Sequence, residues 1–147
     1  MTILTPLQFE AAGGTRDWRA LNAGADTWFE TGSHLAGAAL VRQVAVRAEA
    51  AGHHPDVDVR RTGVHLRLFS HDVGGLTERD VALAREITDV AAELGLRANP
   101  SAVQRLQIGI DATDARVVAP FWQAAFRFDQ VAPGLLADPL GRQPRIW

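Results

Sequence analysis

Between Leu35 and Gly95 the apolar residues change their period twice, and that restricts the chain to a fold that mixes helices with a sheet. From Leu35 to Ala51, the residues Leu40, Val44, Ala48 and Ala51 recur at helical spacing. Ser33 is placed to cap the start of this helix and Gly52 to stop it. From Val57 to Ser70 the pattern alternates, with Val64, Leu66 and Leu68 on one face and His65, Arg67 and Phe69 on the other. Thr62-Gly63 offers a bend, so the segment reads as two strands or one long bent strand. The helical period returns at Thr77, where Thr77-x-x-Asp80 has the form of a capping box and Leu76 can staple against Val81. Leu83, Ile87, Val90 and Leu94 continue a buried face, and Gly95 ends it.

The flanks are less patterned. The opening stretch, with Gly13-Gly14 and Gly24, reads as a short helix or loop followed by short strands. Arg97 to Ser101 reads as a linker, followed by a strand over Leu106 to Asp111 and a helix over Asp114 to Phe126, which Pro120 should kink or shift. The expected class is therefore α+β. A small antiparallel sheet is covered by helices on one face, and a C-terminal βαβ-type half-module follows it.

Composition narrows the function classes. The 147 residues can bury a core of one ordinary domain, alone or with an appendage. The 15 basic and 17 acidic residues nearly balance and form no basic stripe, so a nucleic-acid partner is not expected. No stretch approaches a membrane span and the N-terminus lacks the pattern of a signal peptide, so no membrane association and a cytoplasmic location are expected. With no cysteine, thiolate catalysis, disulfides and Cys-type zinc sites are excluded. Any catalysis falls to the remaining polar side chains.

Chemistry concentrates between Glu49 and Asp80. Two adjacent histidines, His53 and His54, follow the helix stop at Gly52, and Pro55 biases His54 toward an extended backbone. Glu49 lies four residues ahead of His53, a third histidine, His71, follows the strand, and Gly75-Leu76-Thr77 opens a helix that carries Arg79-Asp80. This series, without insertion, resembles the active-site segment of the pterin-4a-carbinolamine dehydratases, strongly over 48–94 and weakly back to Leu7. Two departures stand out: Val57 and Arg61 replace aromatics that the family often places after His-His-Pro, and Ser70 replaces the usual threonine.

The resemblance implies a dehydratase fold over 1–98 and the removal of water from 4a-hydroxytetrahydropterin, without metal or other cofactor. It further implies that His53 and His71 form an acid-base pair, that His54 orients the pterin, and that Glu49 accepts a hydrogen bond from its aminopyrimidine edge. Pro55, Ser70, Asp72 and Val73 would line the site, and Asp80 would support it. Histidine suits both proton roles because either form is populated near neutrality. By this expectation His53 and His71 are partly exposed in a cleft.

Competing readings stay open. The two adjacent histidines could be a polar loop after a helix, His65 and His34 read as surface or partner-facing rather than catalytic residues, and Asp80 has a sufficient purpose in its capping box. A zinc site made of His53, His54 and His71 is disfavoured, because adjacent residues in an extended chain point to opposite sides. The dehydratase fold also serves as a dimerisation cofactor or assembly chaperone, so a non-catalytic module is the alternative to the enzyme.

The segment 99–147 resembles the first half of a glyoxalase-like, vicinal-oxygen-chelate module, through Leu106 to Asp111, Pro120-Phe121-Trp122 and Asp138-Pro139-Leu140-Gly141-Arg142. No complete ligand set is present. The aromatics Phe121, Trp122, Phe126 and Phe128 would leave an apolar patch and a sheet edge to be covered. A homodimer or higher homo-oligomer is the expected cover, and a tail folded back as a monomer the alternative.

Overall fold

A computed structural model describes residues 2–147, which form two compact units, one running to Gln104 and the other from Arg105 to Trp147. In the first unit, Thr5 caps α1 (Pro6–Ala11) through a reciprocal capping box with Gln8, and Pro6 pre-sets the first turn. The strands β1 (Arg19–Leu21), β2 (Gly24–Glu30), β3 (Asp56–Val59), β4 (Gly63–Leu68) and β5 (Arg97–Ala98) form one antiparallel sheet. Its path is β1-β2-β4-β3, and β5 joins the edge of β2 that β1 uses, pairing Phe29 with Ala98. The stretch expected to be a linker is thus paired sheet. Pairing at Arg97 and Ala98, the turn at Pro100–Ala102, and a bond from the Asn99 N–H to the Trp28 carbonyl hold it there.

The period-2 pattern of β4 sorts its side chains as the sequence predicts. Val64, Leu66 and Leu68 are fully buried, and so are Ala25, Thr27 and Phe29 opposite them on β2. Against this face pack α2 (His34–Ala51) through Leu40, Val44 and Ala48, and α3 (Glu78–Glu93) through Val81, Ile87 and Val90. Phe9 and Trp18 complete the core. Each of these large side chains contributes about 1.5–3 kcal/mol by leaving water, so the core holds both helices firmly on one face. Leu94, expected on that buried face, instead caps the end of α3 and is 41% exposed.

The opposite face of the sheet is polar. Asp26, fully buried, accepts from Arg67 at 2.5 Å and lies 2.9 Å from His65 Nε2. His65, read from sequence as a surface residue, therefore belongs to a charge network that fixes β4 to β2. At the end of this pair only glycine fits position 63, because a Cβ there would sit 2.1 Å from the Trp28 ring. That close packing sets the bend before β4.

In the second unit β6 (Gln107–Ile108), α4 (Ala115–Phe126), β7 (Asp129–Ala132), β8 (Leu135–Ala137) and β9 (Arg145–Ile146) follow in order. The sheet order is β6-β9-β8-β7, with β6 parallel to β9 and the other pairs antiparallel. Pro120 lies inside α4, and the helix starts at Ala115 all the same because the Asp114 carboxylate caps it at the Arg116 N–H. Phe128, Leu136 and Ile146 form a small core against Ile110 and Trp122. No helix of the described residues is long and apolar enough to cross a membrane.

Candidate active site

The site grows from the way α2 ends. Gly52 adopts a left-handed conformation, φ 58°, which a side chain would resist. The Gly52 N–H reaches the Glu49 carbonyl and the His53 N–H reaches that of Ala48, the paired bonds of a Schellman ending. That ending turns His53 inward beneath the start of α3, while Pro55 carries the chain on to β3.

His53 is buried, with 7% of its surface exposed, so the expected open position for it is corrected. Its Nε2 lies 2.8 Å from Oδ1 of Asp80, which is wholly buried. The other carboxylate oxygen, Oδ2, accepts from the Ser70 hydroxyl at 2.7 Å, the Thr77 N–H at 2.7 Å and the Thr77 hydroxyl at 3.1 Å. Asp80 thus divides its two purposes between its oxygens. Oδ2 closes the capping box of α3, and Oδ1 engages His53. A carboxylate with no exposed surface is not placed to meet a substrate itself, and the contacts of Asp80 are with His53, Ser70 and Thr77.

Ser70 also anchors the loop that follows β4. Its N–H donates to the Gly75 carbonyl, and its own carbonyl accepts from Val73 and Gly74, which leaves His71 and Asp72 on the tip. His71 is exposed and meets Phe69 edge-to-face, with ring centroids 4.9 Å apart. Asp72 pairs with Arg79 of α3. The hydrogen bond from Arg79 holds the Asp72 carboxyl below the usual carboxylate range, and the charge of His53 pushes it the same way.

His54 and Glu49 form a separate, exposed pair, 3.2 Å apart. With Pro55 they edge a shallow groove of about 120 Å³ whose apolar wall includes Val41, Ala45 and Val57. Val57, which stands where the resemblance places an aromatic, lines that wall. The structure therefore brings His53, Ser70 and Asp80 into one buried cluster, with Asp72 and Val73 on the loop anchored by Ser70. Glu49, His54 and Pro55 gather at the groove, and no hydrogen bond or ring contact links His71 to either of the other two histidines.

Reading the sequence left out Thr77, Arg79 and Phe69 as contributors. The sequence marks Thr77 only as a cap and gives Arg79 and Phe69 no role, whereas Thr77 also meets the Ser70 hydroxyl, Arg79 pairs with Asp72 and Phe69 meets the His71 ring. Among the described residues no three His, Cys, Asp or Glu side chains converge in a way that could hold a metal ion.

Comparison with known proteins follows the same boundary. The chain matches the family described as Pterin 4 alpha carbinolamine dehydratase over residues 3–90. A relative from Chloroflexus aurantiacus, assigned by its name to the pterin-4-alpha-carbinolamine dehydratases, is 47% identical over 74 residues, covering 50% of this chain and 80% of the relative. Another, from a Mycobacterium species and named likewise, is 39% identical over 94 residues, covering 61% of this chain and 97% of the relative. Among solved structures, a transcriptional coactivator/pterin dehydratase from Brucella melitensis superposes with a TM-score of 0.54 at 24% identity. It covers 61% of this chain and 99% of its own, a likeness of fold.

Proposed function

We propose that this chain, which belongs to the pterin-4a-carbinolamine dehydratase family, is a hydro-lyase that converts 4a-hydroxytetrahydropterin to quinonoid dihydropterin and water. The reaction expels the C4a hydroxyl, which must take up a proton, while a ring N–H gives one up. One acid and one base therefore have to face the same bicyclic ring, and groups so placed contribute about 10² to 10⁴ in rate.

The observation that carries the reading is His53 held by a buried, fully hydrogen-bonded Asp80. A histidine kept only for packing has no need of such a partner, and burying a carboxylate is costly unless it is well bonded. In this reading His53 and His71 exchange protons with the pterin, and His54 orients it from the groove edge. Glu49 accepts from the aminopyrimidine edge when it releases His54. Ser70, Asp72, Val73 and Pro55 shape the site, and Asp80 supports it through His53.

The test is a stopped-flow assay in which a pterin-dependent hydroxylase makes the 4a-hydroxy compound in place. The protein accelerates its loss over buffer; no acceleration leaves the non-catalytic module as the better account. For the second unit, the succession of one strand, one helix and three strands supports reading it as half of a glyoxalase-like module. The exposure of Phe121, Phe126 and Val117 there supports self-association as a homodimer, which light scattering on the full chain would detect.

A further inference from the structure

Resting on the reading in which His71 meets the pterin, we propose that Arg79, through its pair with Asp72, latches the tip of the loop after β4 and is thereby a positioning residue for His71. The loop is fastened at its base by the backbone. Ser70 donates its N–H to the Gly75 carbonyl at 3.0 Å, and its own carbonyl accepts from Val73 at 3.3 Å and from Gly74 at 2.9 Å. The Leu4 N–H donates to the Leu76 carbonyl at 2.7 Å, which pins the chain where it leaves the loop. His71 and Asp72 take no part in these bonds.

Side chains tie the tip instead. The His71 ring rests edge-on against Phe69, and Asp72 pairs with Arg79. Phe69 is two residues from His71 and borders the same loop, so of these two contacts only the ion pair joins the tip to α3. Its far end is fixed, because the Arg79 N–H donates to the Thr77 hydroxyl at 3.2 Å in the first turn of that helix.

A surface ion pair usually holds little, because both arms are solvated and mobile. Arg79 differs. Its side chain is 33% exposed, against 69% for Arg60 and 90% for Arg116 in their pairs with Asp58 and Asp114. Its Nε is sealed from solvent without a partner, so the arm is packed along its stem and its end is aimed at Asp72. A sealed donor left unpaired costs free energy, and the bond to Asp72 offsets that cost. The same bond lowers the Asp72 carboxyl, and the charge of His53 lowers it as well, so the latched tip lies within electrostatic reach of the buried cluster.

Asp72→Asn and Arg79→Gln each remove the pair from one end, and the double variant shows whether the two act as a unit. Amide nitrogen relaxation on labelled full chain reads the loop, and the stopped-flow assay reads turnover. In the wild type the His71 and Asp72 amides have order parameters near the roughly 0.85 of rigid backbone, and in all three variants these fall toward about 0.6. Val73 and Gly74, held by the Ser70 carbonyl, change little. In each variant kcat falls about two- to fivefold with KM little changed, the scale of one partly exposed pair, and the double variant falls no further than a single one.

A tip that is already mobile in the wild type, or equally rigid in both single variants, overturns the latch. A loosened tip with wild-type kcat overturns the positioning role, and losses that multiply in the double variant overturn the pair as their cause. A wild type with a rigid tip that does not accelerate the reaction overturns the dehydratase reading instead, and the positioning role with it. Relaxation and turnover are read separately, so the two failures are told apart.

Discussion

The two units of this chain solve the same problem, hiding apolar residues while satisfying polar ones, at different depths. In the unit ending at Gln104, Phe9, Trp18, Phe29 and Leu66 lose essentially all contact with water, and the buried Asp26 and Asp80 each collect several partners from distant parts of the chain. In the unit beginning at Arg105 only Phe128, Leu136 and Ile146 form the buried centre, while Val117, Phe121 and Phe126 are more than half exposed. Two of its charge pairs, Asp114 with Arg116 and Asp138 with Arg142, join residues two and four apart. The lesson is one of over-determination. A buried carboxylate that aims a histidine needs surroundings that cannot rearrange, and long strands over a two-helix layer supply them where strands of two to four residues do not.

The contrast breaks most plainly under core truncation. Phe29→Ala should destabilise the first unit by about 3–5 kcal/mol and abolish turnover at moderate denaturant. Phe128→Ala should disorder the second unit and leave turnover unchanged. Denaturant melts followed by activity would show both; equal loss from the two substitutions would erase the distinction.

Within the first unit, His53→Ala and His71→Ala should each lower turnover by at least about tenfold, the scale of acid-base catalysis. Their stabilities should part. His53→Ala leaves Asp80 Oδ1 buried without its partner and should cost about 1–3 kcal/mol, whereas exposed His71→Ala should melt like the wild type. His54→Ala, at the groove edge, should weaken substrate binding more than it slows the chemical step. Thermal melts beside steady-state kinetics separate these outcomes.

The smallest expected effect is at acid pH. Asp72 in the first unit is held low by its bond from Arg79, and Asp114 and Asp138 in the second by bonds from Arg116 and from the Leu140 N–H. A carboxyl lowered by folding stabilises the native state above its ordinary value near 3.8, and that contribution fades as pH falls through the lowered value. Asp72 and Asp114 face solvent, so their effects are small and screened by salt. Melting temperatures from pH 5 down to 2 should converge between wild type and Asp72→Asn at the acid end, and a gap that widens there would contradict the sign.

Much of the first unit was legible because its signals are local. The Ser33 and Thr77 caps, the Gly52 stop and the alternation through Val64, Leu66 and Leu68 each act within a few residues. The pairing of Arg97-Ala98 was not legible, since the unfilled edge of β2 supplies its partner and nothing in those residues announces it. The candidate histidines were found by their spacing, but the burial of His53 was hidden. A polar pair after a glycine looks exposed until Asp80, 27 residues away, is brought beneath it. His65 was misread for the same reason, because its partner Asp26 lies on another strand.

The claim at the centre of this account is that the first unit by itself carries a working dehydratase site. The direct test is the stopped-flow loss of 4a-hydroxytetrahydropterin with the full chain and with a chain ending at Gln104, at matched concentrations of folded protein. The same acceleration is expected from both, lowered in both by at least about tenfold in His53→Ala. Acceleration that vanishes when residues after Gln104 are removed, although the shortened chain stays folded, would contradict it.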